Sequence, residues 1–585
     1  MKMALENAQR AKANAYSLGT KCQNEQEKVA LTDCLELYQN LVERINATAD
    51  PQTKCTATDA QTWLSGALTD YETCLAGFVD LGVTGNVMPM LASNFSNLIC
   101  NSLAINKGYI PRDNTARSRE GFPVWVKPGD RKLLQESPPA SNANVVVAQD
   151  GSGNYRTVGE SVAAAAGRRP GGGRFVIYVK AGVYNENVEI GTKLKNIMLV
   201  GDGIGNTIIT GSKSVGGGTT TFSSATVGVD GDGFIAQGIT FRNTAGAANH
   251  QAVAMRSGSD LSVFYRCSFE GYQDTLYAYS NRQFYRECEI YGTVDFIFGN
   301  AAVVFQNCNI YARNSPSKTN TITAQGRTDP NQNTGISIHD SIITAASDLT
   351  GSLGSVRTYL GRPWKQYSRT VIMKTSMDGL IDPAGWLPWD GAFALSTLYY
   401  GEFANTGPGA STAGRVNWGG YHVITSAAEA SQFTVGNFIA EASMKITLNK
   451  NEEEEKDGYS PLPNFEDLTM EQWNAVRHAL ALSPIDINQK LTGEIPDESG
   501  SNSSSSIDYF EDDEEMPAED QLDRSTRNGR PEETSEAGEL QAVDMVNRPD
   551  VHGRPSERQK DEPLGVQPTV DVVDRSDDHG RSSEG

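Results

Sequence analysis

The sequence is short of several features, and each shortage removes a class of function. No stretch approaches the ~20 consecutive apolar residues that a membrane helix needs, so no membrane segment is expected. The opening residues, MKMALENAQRAKANAYSLG, hold no apolar core of signal-peptide length, so no export signal is read in the chain as written. Histidine is scarce: six in 585 residues, with His478, His552 and His579 all in the C-terminal quarter. No CxxC pair or Cys/His cluster offers a zinc site, and no HExxH, P-loop or GxSxG pattern occurs. Metal, nucleotide and serine-nucleophile chemistry of those kinds find no support. The glycine-rich GDGIGNT near residue 201 lies in a strand-turn-strand pattern and does not read as a cofactor loop. Residues 1–449 also lack a charge excess, with 37 basic and 37 acidic side chains. The whole net charge of -22 sits in residues 450–585, which hold 13 basic and 35 acidic ones. A neutral body gives no electrostatic case for nucleic acid or an anionic membrane as partner.

What is present separates into four regions. Residues 1–110 read as helical: KVALTDCLELYQNLVERINA and ATDAQTWLSGALTDYETCLAGFVD carry apolar residues at helical spacing, as does VMPMLASNFSNLICNSLAI. A bundle of antiparallel helices is the expected packing. Residues 111–142 are rich in Pro, Arg and polar residues and read as a linker. Within it Arg131-Lys132-Leu133-Leu134 reads as an exposed dibasic stretch and a protease site, or as basic residues that merely solvate the linker. Residues 143–440 alternate short β-rich runs with Gly, Asn, Asp and Ser, and leave little room for helices after Gly201. Residues 441–585 are acidic and poor in aromatics, with blocks such as NEEEEKDG and EDDEE; mostly disordered chain is expected, apart from one helical stretch over 468–482.

Within the β-rich region, FYRCSFEGYQDTL (264–276), FYRECEIYGTVDFIF (284–298) and VFQNCNIYA (304–312) are versions of one unit. Cys267, Cys288 and Cys308 hold equivalent places, 21 and then 20 residues apart. A period near 20 in β-rich sequence marks a solenoid, and a right-handed parallel β-helix fits best. Asp274 and Asp295 each lie seven residues after their cysteine, so they are equivalent positions on consecutive coils. Stacked strands lie about 4.8 Å apart. Two carboxylates that close cannot both ionise freely, which splits them into an acid and a nucleophile or base. A turn-capping aspartate ladder is the alternative, and spacing weighs the two evenly. The aromatic neighbours Tyr272, Tyr277, Phe296 and Phe298 favour a site. All eight cysteines fall between Cys22 and Cys308, and spacing leaves both disulfides and buried thiols open.

GYQDTLY, GTVDFIFGNA, QAVAMR, AQGRTDPNQNTG and YLGRPWKQYSRTV together resemble the plant pectin methylesterase (pectinesterase) family over about residues 143–440. The resemblance implies a right-handed parallel β-helix that removes methyl esters from polygalacturonate and releases methanol, with no metal or organic cofactor. It assigns Asp295 as nucleophile and Asp274 as general acid and then base. Gln251 and Gln273 would stabilise the anionic intermediate, and Arg362 would orient the nucleophile. Thr221, Gln251, Arg362 and Trp364 would contact substrate. It pairs Cys288 with Cys308 and leaves Cys267 a buried thiol.

DCLELY and TWLSGALTDYETCL resemble the inhibitor-like pro-domain that precedes many plant members. That likeness pairs Cys34 with Cys74, makes residues 131–134 the processing motif, and offers Asn46 and Asn94 as glycosylation sites. Pro-domain inhibition within the chain, secretion and a cell-wall location follow as expectations. Three departures are visible. The family's leader and an earlier helical hairpin are not recognised, so the bundle reads as truncated. Tyr279 stands where many members have His. After FTVGNFIA the chain runs EASMKITLNKNEEEE instead of the family's Gly-Gly-Ser-Trp type ending. The competing readings are another pectin-active β-helix enzyme, a polygalacturonase or lyase, and a non-catalytic inhibitor or binding protein.

Overall fold

The computed structural model describes residues 2–91, 95–110, 118–119, 121–135, 143–167 and 173–439. All of them lie within one compact unit, Met1–Asn502. The acidic tail, the helical stretch over 468–482 and Asn94 lie outside the described residues.

The N-terminal region is helical: α1 (Lys2–Ser17), α2 (Glu25–Ala49), α3 (Ala57–Asp80), the single turn α4 (Met88–Leu91) and α5 (Phe95–Lys107). Local chemistry sets the starts. The Asn24 side chain accepts from Glu27 N to cap α2, and Thr56 and Asp59 form a reciprocal capping box on α3. Apolar stripes meet in one core built on Leu37, Leu41, Leu64, Leu68, Phe78, Ile99 and Leu103. A disulfide between Cys34 and Cys74 ties α2 to α3. Helix α1 was not singled out by the periodicity, because its buried face is alanine (Ala4, Ala8, Ala15).

From Val145 to Val423 the chain winds as a parallel β-helix of three sheets, with 11, 8 and 7 strands, here sheets A, B and C. Each full coil contributes one strand to each sheet. One coil runs Ser262–Tyr265, Ser268–Glu270, Leu276–Ala278; the next runs Arg282–Arg286, Glu289–Gly292, Ile297–Gly299. The register is that of the sequence repeat: Phe264 pairs with Tyr285, Phe269 with Ile290, Leu276 with Ile297. Like residues therefore stack. Phe264, Tyr285 and Phe305 form a column with ring centroids 4.5 and 4.7 Å apart. Helix α7 (Val158–Ala165) closes one end with Val158, Val162 and Ala165 in the β-helix core.

Two expectations change. Residues 121–135 are not an extended linker. Pro128–Gln135 forms a helix, α6, and Phe122, Val126 and Leu134 pack on the outer face of sheet A against Val176, Val263 and Phe284. Leu134 is 1% exposed, so the Arg131–Leu134 stretch is wound and docked on one side, with Lys132 facing solvent. The Cys288–Cys308 disulfide is also absent: Cys267, Cys288 and Cys308 are three buried free thiols. The Cys288 and Cys308 thiols neighbour each other, and they also lie against backbone carbonyls, Cys288 against Phe264 O (3.4 Å) and Cys308 against Gln306 O (3.5 Å).

Candidate active site

Asp274 and Asp295 enter sheet C two residues ahead of the paired Leu276 and Ile297, so they hold the same place on adjacent coils. Both take left-handed backbone angles, φ 61° and 52°. Aspartate tolerates this conformation better than most residues, but it is uncommon and here it falls on both carboxylates. Asp274 N donates to Val294 O at 3.0 Å, locking one turn to the next.

The two carboxylates differ in their surroundings. Asp295 is 5% exposed and held by Arg362 at the start of the loop after strand Arg357–Gly361. Arg362 Nε donates to both oxygens (2.9 and 3.1 Å) and its terminal nitrogen to Oδ2 (2.6 Å), a forked charge-assisted contact. Trp389 lies under the guanidinium, 4.4 Å from carbon to ring centroid. Asp274 has no such partner. Burial, then the charges of Asp295 and of Asp80 on α3, push its carboxyl well above the usual range, against a smaller opposing pull from Arg362. The arrangement places an arginine-held carboxyl group beside one whose protonated form burial favours.

Gln251 and Gln273 are half-buried beside this pair, and Ala252 N donates to Gln273 O at 3.2 Å, joining their segments. Trp364 stands edge-on to Phe298 at 6.0 Å, and Lys365 Nζ lies 5.3 Å from its ring centroid. A Cβ on Gly326 would meet the indole at 2.7 Å, so the tryptophan depends on glycine there. Tyr277 stacks on Phe298 at 4.1 Å, which gives the floor of sheet C an aromatic surface.

One site residue had no sequence signal. Thr321, on the following coil, donates its hydroxyl to Asp295 Oδ1 at 2.5 Å and accepts from Asp295 N at 2.9 Å. It clamps side chain and backbone of the strained aspartate together. A threonine in a strand is ordinary, and only the register of the longer third coil brings it here.

The cleft over sheet C is not open. Helices α2 and α3 lie in it. Thr221 N donates to Asp80 Oδ2 at 2.9 Å, and Ser223 Oγ to Asp33 Oδ1 at 2.6 Å. Tyr279 donates to Asp70 at 2.7 Å, Arg282 pairs with Asp59 at 2.8 Å, and Trp63 donates to Asp260 at 3.1 Å. Glu72, Thr73 and Ala76 line a small space with Tyr277 and Trp364. Burial raises the carboxyls of Glu72 and Asp70 to about 7, and those of Asp33 and Asp80 rise for the same reason. Phe222, Tyr279 and Phe298 of the β-helix share one apolar cluster with the helical core. Asn46 is exposed on α2.

Comparison with known proteins places both regions. A family model described as Pectinesterase matches residues 144–442, and one described as Plant invertase/pectin methylesterase inhibitor matches residues 1–105. The chain is 67% identical over 443 residues to the probable pectinesterase/pectinesterase inhibitor 17 of Arabidopsis thaliana, covering 76% of this chain and 85% of that one. It is 66% identical over 440 residues to pectinesterase 2 of Citrus sinensis, covering 75% and 84%. Among solved structures, a pectin methylesterase from carrot matches at 63% identity and a TM-score of 0.50, covering 51% of this chain and 93% of that one. On these matches, and on a parallel β-helix carrying a carboxylate pair at an arginine, the chain belongs to the pectinesterase family of carboxylic ester hydrolases.

Proposed function

We propose that residues 143–440 hydrolyse the methyl esters of pectin through Asp295 and Asp274, and that residues 1–110 cover the cleft as an intramolecular inhibitor. One observation carries the catalytic part: an arginine-held carboxyl group stands one coil from a carboxyl whose protonated form burial favours.

The chemistry follows from that contrast. The Asp295 carboxylate attacks the ester carbonyl carbon and forms a tetrahedral anion. The amides of Gln251 and Gln273 donate to its oxygen; such donors contribute about 3 kcal/mol each. As the intermediate collapses, Asp274 gives its proton to the departing methoxy oxygen and methanol leaves. An anhydride joins Asp295 to the sugar carboxyl. Asp274, now a carboxylate, takes a proton from water, which attacks the sugar carbonyl and frees Asp295. Both residues return to their starting states. Thr221 and Trp364 are read as substrate contacts, Trp364 as a platform for a sugar ring. Secretion to the cell wall and glycosylation at Asn46 belong to the same reading.

The test is methanol release from methylated pectin with no new reducing ends. Reducing ends or unsaturated products without methanol would transfer the chain to a glycosidic-bond chemistry. Within the mechanism, Thr321→Val is expected to lower kcat about tenfold with KM little changed, the scale of one hydrogen bond to a charged group. Thr321→Ser should restore most of it, since only the hydroxyl is required. Equal rates for wild type and Thr321→Val would remove the clamp from the account.

A further inference from the structure

Among the described residues, most buried and half-buried arginines face carboxylates. Arg44 faces Asp70, Arg256 faces Asp230, Arg282 faces Asp260, Arg362 faces Asp295 and Arg415 faces Glu402. This is expected, because a buried charge without a partner is costly. Arg327 and Arg369 break the pattern. Among the described residues no carboxylate lies within ion-pairing distance of either. Arg327 reaches only the carbonyls of Gln332 (3.0 Å) and Pro330, and Arg369 only that of Thr334 (2.7 Å).

Both line one cavity of about 260 Å³, and Lys107 at the end of α5 is a third cation in its wall. Burial pulls Arg327 down to about 10, and burial with the neighbouring Arg327 charge pulls Arg369 lower than its usual range. The rest of the lining is amide (Gln61, Gln332 and three asparagines) and apolar (Ile110, Pro330, Phe438), and the charge of Asp329 reaches Arg327 and Lys107 without pairing with either. Asn331, Asn333 and Asn437 offer donors and acceptors, and Phe438 lies under the Arg369 guanidinium at 5.2 Å. Cations for a carboxylate, amides for hydroxyls and one ring face together match a sugar acid.

We propose that Lys107, Arg327 and Arg369, in a cavity that shares no lining residue with Asp274, Asp295, Arg362 or Trp364, form a binding site for an unesterified uronate held by its carboxylate. The choice of uronate over other anions rests on the pectin reading above. The product of the reaction carries this group and the esterified substrate does not. Because Lys107 and Gln61 come from the helical region and the arginines from the β-helix, a bound uronate bridges the two.

Calorimetric titration of the intact chain with an unesterified galacturonate trimer, its fully methyl-esterified counterpart and inorganic phosphate tests this. The unesterified trimer should bind at least about tenfold more tightly than the other two. Arg327→Gln and Arg369→Gln should each weaken it at least about tenfold, the scale of one charge-assisted contact. Trp364→Ala, in the cleft, should leave it unchanged. Lys107→Met, at the surface, keeps the test available where loss of Arg369 unfolds the chain, and thermal melting identifies that case. Phosphate binding as tight as the trimer overturns the assignment. So does affinity that follows Trp364 rather than the arginines, or no binding at all. Methanol release measured beside it separates the two readings. With the helical cover loosened by Gly77→Leu, no methanol release beside arginine-dependent binding refutes only the esterase, and methanol release without such binding refutes only this site.

Discussion

Asp295→Asn is expected to lower methanol release by at least about 10⁴-fold, the scale seen when a covalent nucleophile is removed. The amide has the shape of the carboxylate but cannot attack the ester. Thr321 can still donate to its oxygen, so the turn should keep its form. The larger structural risk is Arg362, which would lose the carboxylate it pairs with. Stranding one member of a buried ion pair costs about 3–5 kcal/mol, reduced here because the Arg362 side chain is 23% exposed. The variant should therefore melt earlier yet remain folded, and circular dichroism beside the rate separates the two effects. Asp274→Asn should lose less, because the arginine-held nucleophile remains and only proton delivery fails. Methanol release by Asp295→Asn within tenfold of wild type would leave the carboxylate pair as a structural ladder.

Unseating α3 from the cleft should give the second large effect, in the opposite direction. Gly77 lies where α3 meets the β-helix: a Cβ there would stand 3.2 Å from Thr220. Gly77→Leu suits the helix, since leucine is favoured over glycine by up to about 1 kcal/mol in a helix interior. The same side chain wedges the interface, and overpacking costs about 1–3 kcal/mol. Methanol release by the intact chain should rise on the order of 10- to 100-fold. Raising the pH should act the same way. Docking holds the carboxyls of Glu72 and Asp70 at about 7. Exposed, they would return to about 4. The docked state thus binds their protons more tightly. Its stability is full below about pH 4, falls between about 4 and 7, and stays low above that, by up to about tenfold per pH unit for each group. The gain from Gly77→Leu should accordingly be largest near pH 5 and shrink toward neutrality. A gain that grows with pH would contradict this sign.

Much of the fold was legible because a solenoid writes its geometry as a repeat. Equivalent residues on successive coils, Cys267, Cys288 and Cys308 or Asp274 and Asp295, become neighbours by backbone pairing alone. That made the carboxylate pair visible from spacing, and Arg362 and Trp364 visible from the family motif around them. Thr321 was hidden because the third coil is longer than its predecessors, so its register could not be counted forward. A cover over the cleft was implied by the family likeness, but the contacts that seat it were hidden for a different reason. The pairing of Asp59 with Arg282 joins positions 223 residues apart, and Asp70 and Tyr279 are 209 apart. No periodicity spans such distances, and Asp59, Asp70 and Arg282 each read alone as a surface charge. The disulfide expectation at Cys288 and Cys308 came from likeness, and ladder spacing does not distinguish two thiols from a bond.

Helix α6 has a bearing on time as well as on shape. A protease reads its target as an extended segment, and Arg131–Leu134 is wound, with Leu134 inserted among Phe122, Val126 and the outer residues of sheet A. Cleavage at these four residues, which the family likeness implies, would then be open to a protease only before the segment settles. Whether the helical cover stays tethered would then be decided by a race between cutting and docking, run once in the life of each molecule.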